Sequence, residues 1–353
     1  MVGFIVFLGI FVLGSAHAQM PSPATPQFSH GDRAENIDAD IFDRIIYLPV
    51  KINGAGPFPF VIDTGAGTFS ALDQSFAESL GLPLTRVQMG GGAGEERVEI
   101  HNTDSVTVVL PGVTFADRLM FTVPLHRLDP HWGKRKDGLI GGDLLFTLVT
   151  RIDYENERID FYDAAPYAYD GPGERIPLTV ENNFLFVETD VLVYDSGDPI
   201  KALLLLDTGV RLSLFNTPYS KTHDLPGQSP STTEGITGFG IGGVSRGIVG
   251  RVRGIYMGSA LIENPVVDFS TDEAGALAQE SFSGIIGADL LSRFTVVLDY
   301  KRSQMFLEKN KQFDEPSEFD MCGIRFVRQG ERFDTLEVFS VFDPSPAADA
   351  GIQ

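Results

Sequence analysis

The chain of 353 residues carries 48 acidic against 27 basic side chains, a formal net charge of −21. A polyanion repels phosphate backbones, which excludes nucleic acid as a partner class and leaves a peptide or protein substrate open. Hydrophobic residues at 43%, with 38 Gly and 27 Phe, exclude general disorder and suit an all-β protein built as more than one unit.

In chain order, an apolar run over residues 4–13 precedes Ala16-His17-Ala18, the small-x-small pattern of signal-peptide cleavage. The expectation is a signal peptide over 1–18 and export to the periplasm or the exterior. The other reading is an uncleaved N-terminal membrane anchor, since no Lys or Arg precedes the run. No later stretch is long and apolar enough to span a bilayer. Residues 19–40, rich in Pro, Ser and Ala, read as a disordered leader.

From residue 41 strands begin. Residues 44–52 and 58–62 read as a hairpin across the turn 53–57, and the second strand runs into Asp63-Thr64-Gly65. The same unit returns as strands 184–193 and 200–206 across the turn 195–198, and ends in Asp207-Thr208-Gly209, displaced by 144. Two further landmarks repeat at 146: Gly138-Leu-Ile-Gly-Gly-Asp-Leu-Leu145 as Gly284-Ile-Ile-Gly-Ala-Asp-Leu-Leu291, and Asp153-Tyr154 as Asp299-Tyr300. Three landmarks at nearly constant offset indicate an internal duplication, with lobes at 41–165 and 174–309 and a linker between them. Each lobe also carries a glycine cluster, with Gly90, Gly91 and Gly92 in the first and Gly240 and Gly242 in the second. These predict mobile hairpin tips over a substrate cleft.

One Asp-Thr-Gly is ordinary turn chemistry. Two at equivalent positions of a duplicated chain predict a two-fold axis that brings Asp63 and Asp207 face to face. Two carboxyls in contact share a proton, so one can act as base and the other as acid on a single water. Gly65 and Gly209 permit the close approach, and Thr64 and Thr208 can hydrogen-bond across the axis.

Rival motifs lack their context. Gly243-Val-Ser245-Arg-Gly247 fits a serine-hydrolase elbow without the strand and helix that elbow needs. The glycines of 238–243 resemble a dinucleotide loop without a βαβ unit. His126, Asp129 and His131 read as a solvated loop near Trp132, so no metal and no cofactor is expected. The single cysteine, Cys322, cannot form an intrachain disulfide and is expected in the core.

The Asp63-Thr64-Gly65 and Asp207-Thr208-Gly209 pair resembles the active site of pepsin- and retropepsin-like aspartic proteases, most closely single-chain bacterial members with retropepsin-sized lobes. Leu139-Ile140-Gly141 and Ile285-Ile286-Gly287 resemble the strands that family threads behind its catalytic turns, and the glycine clusters resemble its flaps. The resemblance covers about residues 41–309. It implies a bilobal acid-protease fold, a monomeric active unit, Asp63 and Asp207 as the dyad, Thr residues locking the interface, and flaps closing over an extended peptide. Two departures stand out. Neither glycine cluster holds a tyrosine. Val210-Arg211 replaces the small residues expected after the second glycine, and Arg211 is expected to point outward into solvent.

After a charged linker at 310–320, strands are expected near 322–326 and 336–342, followed by a helix with Ser345 as N-cap and Pro346 at its first position. This stretch resembles part of a PDZ domain over 322–353; the alternative is a short C-terminal β-hairpin packed on the second lobe. The two functional readings are an aspartic-type endopeptidase and a non-catalytic peptide-binding or adaptor protein that uses the PDZ-like tail for recognition.

Overall fold

The computed structural model of the chain describes residues 11–12, 25–67, 69–194 and 197–352. The signal-peptide reading over 1–18 lies outside these except for residues 11–12. Among the described residues no helix is long and apolar enough to cross a membrane.

The molecule is nearly all β. Its first lobe contains β2 (Ile45–Ile52), β3 (Ala55–Ile62), β4 (Ala71–Asp73), β5 (Thr85–Gly91), β6 (Val98–Leu110), β7 (Val113–Val123) and β8 (Gly138–Ile140). They hydrogen-bond in the order β5–β6–β7–β4–β8–β3–β2. The second lobe contains β12 (Phe184–Leu192), β13 (Ile200–Leu206), β14 (Leu214–Phe215), β15 (Thr233–Gly240), β16 (Gly243–Arg251), β17 (Val266–Ser270) and β18 (Gly284–Ile286). Their order is β15–β16–β17–β14–β18–β13–β12, element for element the same.

The landmarks of the duplicated sequence occupy the centre of each sheet. Strand β8 lies parallel to β3, pairing Leu139 with Val61 and Ile140 with Ile62. Strand β18 lies parallel to β13, pairing Leu205 with Ile285 and Leu206 with Ile286. A strand with neighbours on both sides and cover on both faces needs apolar residues at every position. That accounts for the unbroken runs Phe60-Val61-Ile62 and Leu204-Leu205-Leu206, all at most 2% exposed. Each such side chain contributes about 1.5–3 kcal/mol by burial.

The lobes are joined by a third sheet. It contains β1 (Arg33–Asp38), β9 (Leu148–Asp153), β10 (Arg158–Asp163), β11 (Glu174–Pro177), β19 (Phe294–Asp299) and β20 (Gln304–Lys309), in the order β11–β20–β19–β9–β10–β1. At its middle β9 and β19 run antiparallel, with Arg151 opposite Val297. The pseudo-two-fold therefore passes through a continuous sheet.

Two expectations are corrected. The described part of the supposed disordered leader is ordered: Gln27–Phe28 pairs with β7, and β1 pairs with β10. The reason is apolar: Phe28, Ala34 and Ile37 pack against the core. Composition hid this because three anchors are spread over a polar stretch. Cys322 is exposed, not buried, and its thiol bonds to Asp320 at 3.1 Å. In the C-terminal segment β21 (Ile324–Gln329) and β22 (Thr335–Val341) form a hairpin that packs against both lobes. The Ser345 side chain caps the short helix Pro346–Asp349, accepting from the Ala348 N–H.

Candidate active site

Each Asp-Thr-Gly turn hangs from its threaded strand. The Asp63 N–H donates to Ile140 O at 3.0 Å, and the Asp207 N–H donates to Ile286 O at 3.0 Å. Both aspartates are fully buried. One oxygen of each is held by its own loop: Asp63 Oδ1 accepts from the Ala66 N–H at 3.1 Å, and Asp207 Oδ1 from the Gly209 N–H at 2.8 Å. The two carboxyls meet across the axis, close enough for the charge of Asp63 to act on Asp207. The Oδ2 atom of each is buried with no hydrogen-bond partner.

The glycines allow this meeting. A Cβ on Gly209 would lie 2.7 Å from Asp63 Cγ, and a Cβ on Gly65 would overlap Asp207 Oδ2. The threonines fix it. The Thr64 N–H donates to Thr208 Oγ1 at 3.2 Å, and the Thr208 N–H donates to Thr64 Oγ1 at 3.1 Å. Each hydroxyl then donates to the strand of the other lobe, Thr64 to Leu206 O and Thr208 to Ile62 O, both at 2.7 Å. Four bonds thus cross the axis beneath the carboxyls.

Burial raises both aspartates. Asp63 is pushed up to about 6 against the pull of its hydrogen bonds. Asp207 rises well above the usual carboxylate range, through burial first and the charge of Asp63 second. A pair in this position holds one proton in common over the range where separate carboxyls hold none, and the titration belongs to the pair.

A second symmetric pair supports the turns. Ser70 Oγ donates to Asp143 Oδ1 and Ser213 Oγ to Asp289 Oδ1, each at 2.7 Å. The same hydroxyls accept from the Gly141 and Gly287 N–H groups at 3.0 and 2.9 Å. Burial pushes Asp143 and Asp289 up to about 6. Both aspartates stand in the repeated Gly-x-Asp-Leu-Leu stretch, so the repeat itself was the signal that could have identified them.

The glycine clusters form the tips of β5–β6 and β15–β16, and the tips touch. The Gly242 N–H donates to Ala93 O at 2.9 Å, and the Glu96 N–H donates to Gly242 O at 2.8 Å. Gly92 O accepts from the Ala276 N–H of the other lobe at 3.4 Å. Gly90 pairs with Val98 within its own hairpin, and Gly240 with Gly243. Ala93 and Ile241 are each 2% exposed, and they belong to the apolar clusters that hold Val210 and Ala66, so the tips are packed down rather than free in solvent. A cavity of about 610 Å³ lies elsewhere, between Arg44, Arg211, Arg293 and the segment 315–321, with neither aspartate on its wall.

Arg211 departs from the sequence expectation. It is buried, not solvated, and its guanidinium is engaged away from the dyad. Its Nη2 donates to Trp132 O at 2.9 Å, and its Nη1 pairs with Asp43 at 3.2 Å. The receiving segment is itself packed around a cation: Lys136 Nζ lies 4.1 Å from the Trp132 ring centroid and 3.0 Å from Asp129. Arg211 therefore braces the second Asp-Thr-Gly loop against the first lobe. Nothing in local sequence marks this, because its partners are 79 and 168 positions away.

The rival motifs take structural roles. Ser245 is buried in β16 and bonds to Asp272, with no helix following. His126 bonds to Asp73 and Asp137, while His131 stacks on Phe239. Among the described residues no cluster of His, Cys, Asp and Glu could hold a metal.

No curated protein matches the chain. Among solved structures, the aspartic proteinase from Irpex lacteus aligns with a TM-score of 0.49 at 13% identity, over 81% of this chain and all of that one. Residues 48–144, which hold the first Asp-Thr-Gly turn, the β5–β6 hairpin and the Gly-Gly-Asp stretch, match the family model described as aspartyl protease.

Proposed function

We propose that this chain is an aspartic-type endopeptidase. The observation that carries the reading is the meeting of Asp63 and Asp207 on a crossed threonine lock, each with one oxygen anchored by its own loop and the other without a hydrogen-bond partner. A water between the free oxygens is the nucleophile. The ionised carboxyl takes a proton from it as its oxygen adds to the scissile carbonyl carbon, and the protonated carboxyl donates to the carbonyl oxygen. The tetrahedral intermediate then breaks its C–N bond. The proton taken from water passes to the leaving amine, the hydroxyl made from the carbonyl oxygen returns its proton to the other carboxyl as the C=O re-forms, and the pair regains its single shared proton. Aspartic proteases are the general case of two close carboxyls that share one proton because both cannot ionise together.

The closed tips imply a peptide laid between dyad and flaps after the flaps lift. The test is hydrolysis of casein and of unstructured peptides by the purified chain and by Asp63→Asn and Asp207→Asn. Loss of cleavage in both, with unchanged thermal unfolding, is expected. Cleavage retained in either variant defeats the reading and favours the adaptor alternative. A statine-type transition-state mimic is expected to inhibit.

A further inference from the structure

The C-terminal hairpin lies along the outside of β15, the first strand of the second lobe's flap. At the flap base the Glu234 N–H donates to Asp343 O at 2.9 Å and the Asp343 N–H donates back to Glu234 O at 3.0 Å. Thr233 Oγ1 donates to Pro344 O at 2.8 Å. The Phe342 ring covers Gly235, where a Cβ would meet it at 2.8 Å. Midway, the fully buried Arg325 of β21 donates from Nη2 to Thr237 O at 3.4 Å. Near the tip, Phe239 stacks on His131 of the first lobe at 3.8 Å and 15°, and Phe339 of β22 closes edge-on against the same His131 at 4.9 Å. The same strand as Arg325 also meets the first lobe, where Arg328 fills the space beside Gly133. One segment thus ties the flap of one lobe to a helix of the other.

The site beneath is shut. Asp63 and Asp207 are wholly buried, and the flap tips are hydrogen-bonded to each other. For a peptide to reach the dyad, β15–β16 must lift from the first lobe. Two hydrogen bonds join the tips through Gly242, whereas the tail adds contacts along β15 from Thr233 to Phe239.

We propose that the C-terminal hairpin β21–β22 is an autoinhibitory latch: while docked on β15 it holds the second lobe's flap closed over the dyad, and its release admits the peptide. The part that concerns peptide entry rests on the proposed endopeptidase reading, but the latch itself is a statement about flap opening.

The test uses the full chain with Phe339→Ala, and Phe339→Leu as a milder variant that keeps an apolar side chain if alanine impairs folding. Hydrogen–deuterium exchange over 233–251 reports flap opening, exchange over β2–β3 reports whether the body is intact, and kcat/KM for a casein-derived peptide reports entry. Exchange of protected flap amides scales with the opening equilibrium. Losing one aromatic contact is expected to raise it roughly two- to tenfold, with kcat/KM rising in parallel and the body unchanged. Unchanged flap exchange overturns the latch whatever the activity. A rise in flap exchange with a fall in kcat/KM also overturns it, since the hairpin would then be supporting catalysis. Increased flap exchange with no cleavage by any form, parent included, leaves the latch standing and removes the endopeptidase reading.

Discussion

Gly65 lies directly against the carboxyl of Asp207, so closely that a single added carbon would overlap its Oδ2 atom. The glycine of one lobe is thus part of the surface that positions the acid of the other. Gly65→Ala is expected to push the carboxyls apart and reduce kcat/KM by about a hundredfold or more, the scale seen when catalytic groups are displaced by an ångström. The accompanying loss of stability is expected to be about 1–3 kcal/mol, typical of overpacking. Steady-state kinetics and denaturant unfolding of the same sample check both.

Thr208→Val keeps the shape of the side chain and removes its hydroxyl. The Thr64 N–H and the Ile62 carbonyl would both lose their partners inside a buried interface. Each orphaned group costs about 1–3 kcal/mol. The expected result is a clear fall in melting temperature, larger than for an exposed Thr→Val change such as Thr335→Val, measured by calorimetry.

Arg211→Met removes a buried guanidinium from Trp132 O and Asp43 while keeping most of its volume. Stability is expected to fall by about 1–3 kcal/mol, because a buried carbonyl and a half-buried carboxylate lose their partner. Arg211 is engaged away from the dyad, so the acid limb of the kcat/KM profile should not move. A shifted acid limb would show that Arg211 acts on the dyad charge after all. That limb reports the free enzyme and belongs to the pair, and because burial raises both carboxyls it is expected above the ordinary carboxylate range.

Stability is expected to rise as pH falls from about 8 to about 5. Burial raises Asp268 to about 8 and Asp63, Asp143 and Asp289 to about 6. A carboxyl raised in the folded state binds its proton there before the unfolded chain does. Its ionisation therefore costs stability as pH rises through the window between the unfolded and folded values. Two groups oppose this. His131 is lowered to about 4 by burial and loses stability as pH falls below its unfolded value. Lys136 is lowered to about 8, also by burial, and its neutral form in the fold costs stability mainly as pH falls below its unfolded value toward 8. Four carboxyls against one histidine leave the net direction between pH 8 and 5 set by the acids. Thermal melts at pH 8, 6.5 and 5 test it; a monotonic decline toward acid would contradict it.

Whatever repetition can encode was readable from the amino-acid order alone. Asp63 and Asp207 were legible because the same short code ends the same hairpin in both halves, and the apolar runs before them could belong only to strands covered on every side. The nearly constant offset of three landmarks marked the two lobes. The tertiary structure decided whatever depends on partners far apart in the chain. Arg211 reads as a surface side chain until the fold places Trp132 and Asp43 around it. Cys322 reads as a core residue, yet the hairpin it precedes turns it outward. The strands at 27–28 and 33–38 exist because distant edges, β7 and β10, are available to receive them. The docking of the tail on β15 has no local signature, since a hydrogen bond between Glu234 and Asp343 uses only backbone atoms, which every residue carries.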